Sequence, residues 1–362
     1  MKRQLLALIL LACVTMCAAQ KRLVLIDQDG AGPGGSDQMA MLALLQAPGV
    51  QVLGITIVTG DAWRDEETLH TLRMLELTGH SDVPVVRGAV FPLVRNEEQT
   101  QLEAALDGKV AWLGAWGGLV ATEAGAVKPQ SHGPYEIPTM PEGLPATKPL
   151  DEDAAHFLIR EVRAHPHEVT IYAAGPLTNI ALAVSIDPEF ASLTKGILIM
   201  GGSLNPQTNG PQASDLETAD PRHEFNFWFD PEAAHIVLNA NWPRIEVTTE
   251  DVSVKAPFTQ EMLDAIAKSQ TPAARYIAAW SQRRTDMWDE LEACAWLDPA
   301  IITKEADVYM DVDLSHGPSY GDTLAWPEIL KPANGVRLVH AQMDLDLPRF
   351  QKDFVDLMTR TP

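Results

Sequence analysis

Leu23-Val24-Leu25-Ile26-Asp27-Gln28-Asp29-Gly30 runs from an apolar stretch straight into two carboxylates, and a glycine-rich loop then leads to Ser36-Asp37 and the apolar series that follows. A short apolar run closed by turn residues reads as a buried strand, and the stretch Asp37 to Leu45 reads as a helix. Working outward, Val52 to Val58 is predicted as a strand and Asp65 to Leu77 as a helix. Further strands are predicted at Val169 to Ala173, Gly196 to Met200 and Ile245 to Thr248, with helices such as Asn179 to Val184 and Pro231 to Asn239 beside them. Strands and helices in alternation predict parallel βαβ units, hence an α/β fold: one domain with a mostly parallel central sheet flanked by helices. In an open sheet of that kind, ligands bind beyond the strand C-termini. Residues 92–150 lack clear periodicity, are rich in Gly, Pro and Trp, and read as a lid or an insertion.

Composition narrows the function classes. The chain has 362 residues, 46% hydrophobic and 21% charged, which suits a large buried core and excludes disorder, collagen and coiled coil. With 49 Asp and Glu against 27 Lys and Arg, the formal charge of -22 repels nucleic-acid phosphates and anionic lipid. Nucleic acid is therefore not an expected partner. Lys2 and Arg3 precede the apolar run Leu5 to Ala12, and Cys17-Ala18-Ala19 supplies small residues, so residues 1–19 have the form of a signal peptide ahead of a domain over 20–362. The expected location is exported, either periplasmic or secreted. Leu10-Leu11-Ala12-Cys13 loosely resembles a lipoprotein cleavage box, which would make Cys13 a lipid anchor at the membrane. No later window approaches the roughly 20 apolar residues of a membrane span. Beyond the leader only Cys294 remains, expected as a buried thiol, so no internal disulfide forms in a chain cleaved after Ala19. Assembly as a homodimer or homotetramer is left open by the sequence.

The carboxylates after the first strand carry the chemistry. Where strand gives way to loop, the backbone can turn so that one of Asp27 and Asp29 faces the crevice and the other braces it. Asp37 enters at a helix N-terminus, where the dipole favours negative charge. Acidic oxygens converging in one crevice call for a cation, and an all-oxygen set points to Ca²⁺ or Mg²⁺. Equally, Asp37 can cap its helix while Asp27 and Asp29 decorate a turn; the segment alone does not choose. An EF-hand reading fails, because Ala31 takes the fifth position, Gln38 the twelfth, and a strand precedes the loop. A strand ending in D-x-D also resembles haloacid-dehalogenase-like phosphatases, with Asp27 as nucleophile and Asp29 as acid.

Later segments separate these readings, because in order along the chain they resemble nucleoside hydrolases, and their purine-preferring branch above all. Ile26-Asp27-Gln28-Asp29-Gly30 and Asp37-Gln38-Met39-Ala40 look like the two halves of that family's opening D-x-D-(P/G)-G-x-D-D motif. Ile55 to Asp61 resembles its second strand and T-x-x-x-G-(N/D) loop, and Ala174-Gly175-Pro176-Leu177-Thr178-Asn179-Ile180-Ala181 its G-P-L-T-N turn. Ile199-Met200-Gly201-Gly202, Glu224-Phe225-Asn226 with Asp230-Pro231-Glu232-Ala233, and Met287-Trp288-Asp289 follow in the family's order. The matches span Leu23 to about Thr323. The resemblance implies a nucleoside hydrolase-like, Rossmann-like open sheet and one Ca²⁺ per chain. The ligands it implies are Asp29, Asp37, the backbone carbonyl of Thr178, and Asp289, with Asp27 as a supporting acid. It also implies that Asp29 takes the proton of the attacking water. Glu224 and Asn226 match ribose-hydroxyl binders, Asp61 a pocket residue, Met200 a wall of the sugar site, and Trp288 a ring stacked on the base.

The implied activity is hydrolysis of the N-glycosidic bond of a small-molecule nucleoside, purine by the W-D step, giving free base and ribose. Two departures stand out. Seven residues separate Asp29 from Asp37 where the motif has four, and Ser36 occupies the place of an acid that holds a ribose hydroxyl. A serine gives a weaker, uncharged bond there. The loop from Ser203 to His223 is also longer than usual, so Asn209 is the residue that would match the family's asparagine in that loop. Alternatives of other classes are the D-x-D phosphohydrolase and a non-catalytic, calcium-dependent nucleoside-binding protein.

Overall fold

Alternation along the central strands sorts their side chains onto two faces, and each face has its own core. The structure is a computed structural model and describes residues 21–108, 110, 112–117, 132–204, 224–282, 286–333 and 335–361. The leader with Cys13, and Asn209, lie outside the described residues. Ten strands form one sheet: β1 (Arg22–Gln28), β2 (Val50–Ile57), β3 (Val85–Arg87), β4 (Leu150–Asp153), β5 (Val169–Ala173), β6 (Gly196–Met200), β7 (Ile245–Thr248), β8 (Ile302–Val312), β9 (Thr323–Trp326) and β10 (Arg337–Leu345). Their order is β4-β3-β2-β1-β5-β6-β7-β10-β8-β9. Neighbours from β4 through to β10 are parallel, and only β8 and β9 add antiparallel pairings at one edge.

The chain builds outward from β1 in one direction through β4 and then returns to start β5 on the other side of β1. That reversal leaves a crevice at the carboxyl ends of β1 and β5, the place where open α/β sheets bind ligands. Asp27 sits in register with Thr56 of β2 and Ala173 of β5, so the acidic segment emerges at that point.

Helices cover both faces: α1 (Ser36–Gln46), α2 (Arg64–Thr78), α3 (Glu97–Leu106), α4 (Ala154–Ala164), α5 (Thr178–Ile186), α6 (Phe225–Phe229), α7 (Pro231–Leu238), α8 (Glu250–Ser253), α9 (Gln260–Ile266), α10 (Pro272–Trp280), α11 (Trp288–Leu297) and α12 (Leu347–Thr359). Val24, Ile26, Tyr172, Leu198 and Met200 join α1, α11 and α12 in one core. Leu25, Ile171, Ala173, Ile197 and Ile199, one residue out of phase, join α4, α5 and α7 in the other. Almost every residue of α1 is buried, as expected of a helix that is apolar on all sides and enclosed.

All the predicted strands and helices are present. The three-residue β3, the acidic β4 and the strands β8 to β10 at the antiparallel end of the sheet lack a long apolar run and are not visible to that reading. Within residues 92–150 the described part holds α3 and a 3₁₀ turn at Gly114–Trp116, and Leu150 opens β4 at the sheet edge. No described helix is long and apolar enough to cross a membrane. Cys294 is buried and free.

The last helix closes the core that carries α1 and α11. Phe350, Phe354 and Met358, spaced by four, are its fully buried face. Phe354→Ala is expected to cost about 3–5 kcal/mol, measurable as a fall in the denaturant midpoint at unchanged slope.

Candidate active site

Asp29 leaves the end of β1 into a slot whose walls are glycines. A Cβ on Gly60 would lie 2.0 Å from Asp29 Oδ2, and one on Gly175 would lie 2.8 Å from both the Asp29 nitrogen and its Oδ1. Both glycines are therefore required by close approach of backbone to carboxylate. They belong to the loops after β2 and β5, which explains why those two motifs carry glycine where they do. The backbone N–H of Asp61 donates to Asp29 Oδ2 at 2.9 Å and fixes the carboxylate's orientation.

Asp37 stands in the first turn of α1, as its position in the sequence predicted. The lengthened loop before it is pinned by hydrogen bonds along its length. Gln38 Nε2 donates to Gly30 O at 3.2 Å, Gly34 N donates to Tyr276 Oη at 3.0 Å, and Ser281 Oγ donates to Gly34 O at 2.9 Å. Tyr276 also bonds Gln38. The extra residues thus dock on α10 while Asp37 still reaches the site. Asp289, in the first turn of α11, is held by Gln28 Nε2 on its Oδ2 at 2.8 Å and by Tyr172 Oη on its backbone carbonyl at 2.9 Å.

The carboxylates so positioned form one electrostatic unit. Asp37 and Asp289 are within hydrogen-bonding reach of each other. Burial first, and then the charges of Asp61 and Asp289, push Asp29 well above the ordinary carboxylate range. Burial, followed by Asp29, Asp289 and Asp61, does the same to Asp37. Asp289 is raised to about 7, mainly by burial, and Asp61 to about 6 by burial against the opposing hydrogen bond from Trp112. Among the described residues, no Lys, Arg or His forms an ion pair with any of the four.

No three His, Cys, Asp or Glu side chains among the described residues close into a finished metal cage. The donor set still fits a hard divalent cation: Asp29, Asp37 and Asp289 supply oxygen only and are buried, and the charge of Asp289 pushes up both Asp29 and Asp37, a repulsion that a bound cation would relieve.

The remaining predicted residues fall into a supporting ring. Asp27 is fully buried and raised to about 7 by burial; its Oδ1 accepts from Thr56 Oγ1 and, at 2.8 Å, from Asn179 Nδ2. That enclosure rules it out as an exposed phosphatase nucleophile. Thr178 opens α5, and its hydroxyl donates to Asp230 Oδ2 at 2.6 Å. Glu224 caps α6, its carboxylate accepting from Asn226 N at 2.9 Å, Phe227 N at 3.1 Å and Gly202 N at 2.8 Å. Asn226 Nδ2 donates to Met200 O at 3.1 Å, tying this group to the end of β6. Trp288 is partly buried, with its indole N–H toward Glu250 Oε1 at 3.3 Å.

Four residues that sequence reasoning did not assign also serve the site. Gln28 and Tyr172 position Asp289; Trp112 Nε1 donates to Asp61 Oδ1 at 2.6 Å; and buried Glu290 accepts from Ser36 Oγ at 2.5 Å. Trp116 is packing, stacked on Phe229 at 4.5 Å. Gln28 had a signal in its place inside the D-x-D step, and Glu290 in its place after Asp289. Trp112 and Tyr172 are brought in by folding alone.

With this geometry in view, the likenesses to known proteins are consistent along the chain. The family profile described as inosine-uridine preferring nucleoside hydrolase matches residues 24–352. The chain is 30% identical over 355 residues to an uncharacterized protein of Schizosaccharomyces pombe, covering 93% of this chain and 85% of that one. It is 30% identical over 259 residues to probable uridine nucleosidase 1 of Oryza sativa subsp. japonica, covering 72% and 68%. Among solved structures it is similar to a plant nucleoside hydrolase, the PpNRh1 enzyme, with a TM-score of 0.70 and 25% identity over 94% of this chain and 99% of that one. A single open parallel sheet, a carboxylate cluster at its strand ends and a profile match over nearly the whole length lead to one conclusion: the chain belongs to the inosine-uridine preferring nucleoside hydrolase family and is an N-glycosyl hydrolase.

Proposed function

We propose that this hydrolase cleaves purine ribonucleosides to free base and ribose, with one Ca²⁺ held by Asp29, Asp37, Asp289 and the Thr178 carbonyl. The observation that carries this reading is the convergence of three buried carboxylates with no ion-pair partner among the described residues. When bound, the cation would supply Lewis acidity to a water and to sugar hydroxyls. Asp29 then acts as general base: Asp61 N–H orients its carboxylate, and its raised proton affinity suits removal of a proton from the attacking water. As the bond to the base breaks, positive charge grows on the ribose ring, and the surrounding carboxylates favour that state over the neutral ground state. Glu224, Asn226, Asp61 and Ser36 bind the sugar, and Met200 forms a wall. Trp288 offers an indole face to a departing purine, stabilising positive character through its π system. Export of the mature chain, read from residues 1–19, belongs to the same proposal. The name of the Oryza sativa relative favours a second reading, with a pyrimidine nucleoside as substrate.

Incubation with inosine, adenosine, guanosine, uridine and cytidine decides between them. Base release is expected from the purines ahead of the pyrimidines, to stop with a chelator and to return with Ca²⁺; a faster reaction with uridine would overturn the purine assignment and leave the hydrolysis intact. Asp29→Ala is expected to lower kcat by about 10²–10⁴-fold, and undiminished turnover would remove Asp29 from the base's role.

Acidity provides a third test. Because Asp289 is raised from 3.8 to about 7 in the folded protein, its contribution to the stability of the metal-free form is fully present below about pH 4 and is lost as pH rises toward 7. Calcium, which prefers the ionised carboxylates, should offset the loss. The calcium-dependent gain in Tm is expected to be larger at about pH 7 than at about pH 5, and a gain that shrinks with rising pH would contradict the assigned ligands.

A further inference from the structure

Two consecutive residues of α1 meet two consecutive residues of α11: Asp37 lies against Asp289, and Ser36 Oγ donates to Glu290 Oε2 at 2.5 Å. Glu290 is fully buried, whereas Ser36 retains 9% of its surface at the opening of α1. Only the serine of this pair can meet a ligand directly. A serine hydroxyl has one proton and two acceptor positions. Its proton is given to Glu290, so any further partner of Ser36 Oγ has to be a donor. The pair therefore presents, beside the carboxylate cluster, the one-way acceptor character that a carboxylate has.

We propose that Ser36 and Glu290 work as a two-residue acceptor for a hydroxyl of the substrate sugar: the sugar O–H donates to Ser36 Oγ, and Ser36 donates its own proton's hydrogen bond to Glu290. No proton is transferred. Ser36 is the binding residue and Glu290 a positioning residue that keeps the serine from turning its hydrogen toward the sugar. The chain thereby reads a sugar hydroxyl without a carboxylate at position 36, and loses that preference if either member is changed. The assignment rests on the nucleoside reading of the site.

The test compares a ribonucleoside with its 2′-deoxy and 3′-deoxy counterparts on the full-length protein, its S36A and E290Q variants and the double variant, with the Tm of each recorded. Each single substitution is expected to lower kcat/KM for the ribonucleoside about tenfold or more, chiefly through KM. The double variant should be no worse than S36A alone, and all four proteins should be equal on the deoxy analogue that lacks the hydroxyl in question. Losses that add, or equal losses on all three sugars, overturn the pair's role. Should the unaltered protein release no base from any ribonucleoside, the nucleoside reading itself falls and the pair's assignment with it; turnover by that protein together with equal losses on the three sugars removes the pair alone.

Discussion

Three buried carboxylates, from Asp29, Asp37 and Asp289, stand together with half-buried Asp61 beside them, and the rest of the molecule is arranged around the cost of holding them there. Among buried groups like charges repel strongly, and each group resists ionisation. The protein meets part of that cost with donors of fixed position: Asp61 N–H on Asp29, Gln28 on Asp289, Trp112 on Asp61, and Thr56 with Asn179 on Asp27 behind them. A divalent cation would meet the remainder. Strain of this kind is tolerable only where function requires it, since replacing such a cluster by apolar residues would otherwise favour the fold.

The sheet makes the gathering geometrically simple. Because β1 has β2 on one side and β5 on the other, the loop leaving β1 carries Asp29 between the loops leaving β2 and β5, and each of those two supplies one wall of its slot. Two glycines let those walls close to contact distance. The acids from farther along the chain arrive by helix: Asp37 on α1 and Asp289 on α11, two helices that lie side by side in the same core. Positions in the site are thus set by packing of rigid elements, which suits a reaction that depends on a water and a sugar being held in register.

Much of this was readable from the chain itself. The central strands are rich in β-branched and apolar residues, and β5, β6 and β7 begin and end where those stretches do. The motifs around Asp29, Asp37, Gly60, Gly175 and Asp289 could be placed because each falls at the end of such a strand or the start of a helix. Less was visible where structure depends on distant partners. The three residues of β3 have no pattern of their own, and β8 and β10 pair through backbone at an edge where half the side chains face water. Tyr172 looked like an ordinary core residue of β5 until α11 was laid across it. Ser36 read as a weakened position, because nothing in sequence places Glu290 beside it.

The loop between Gly30 and Gly35 has its anchorage on α10, some two hundred and forty positions away in sequence, through Tyr276 and Ser281. Its length is consequently decoupled from the placement of the acid that follows it: residues can be gained there as long as both ends remain tethered. The same tether makes that distant helix a silent partner in the chemistry, since a tilt or slip of its axis would be felt at the mouth of the crevice before any ligand had been touched.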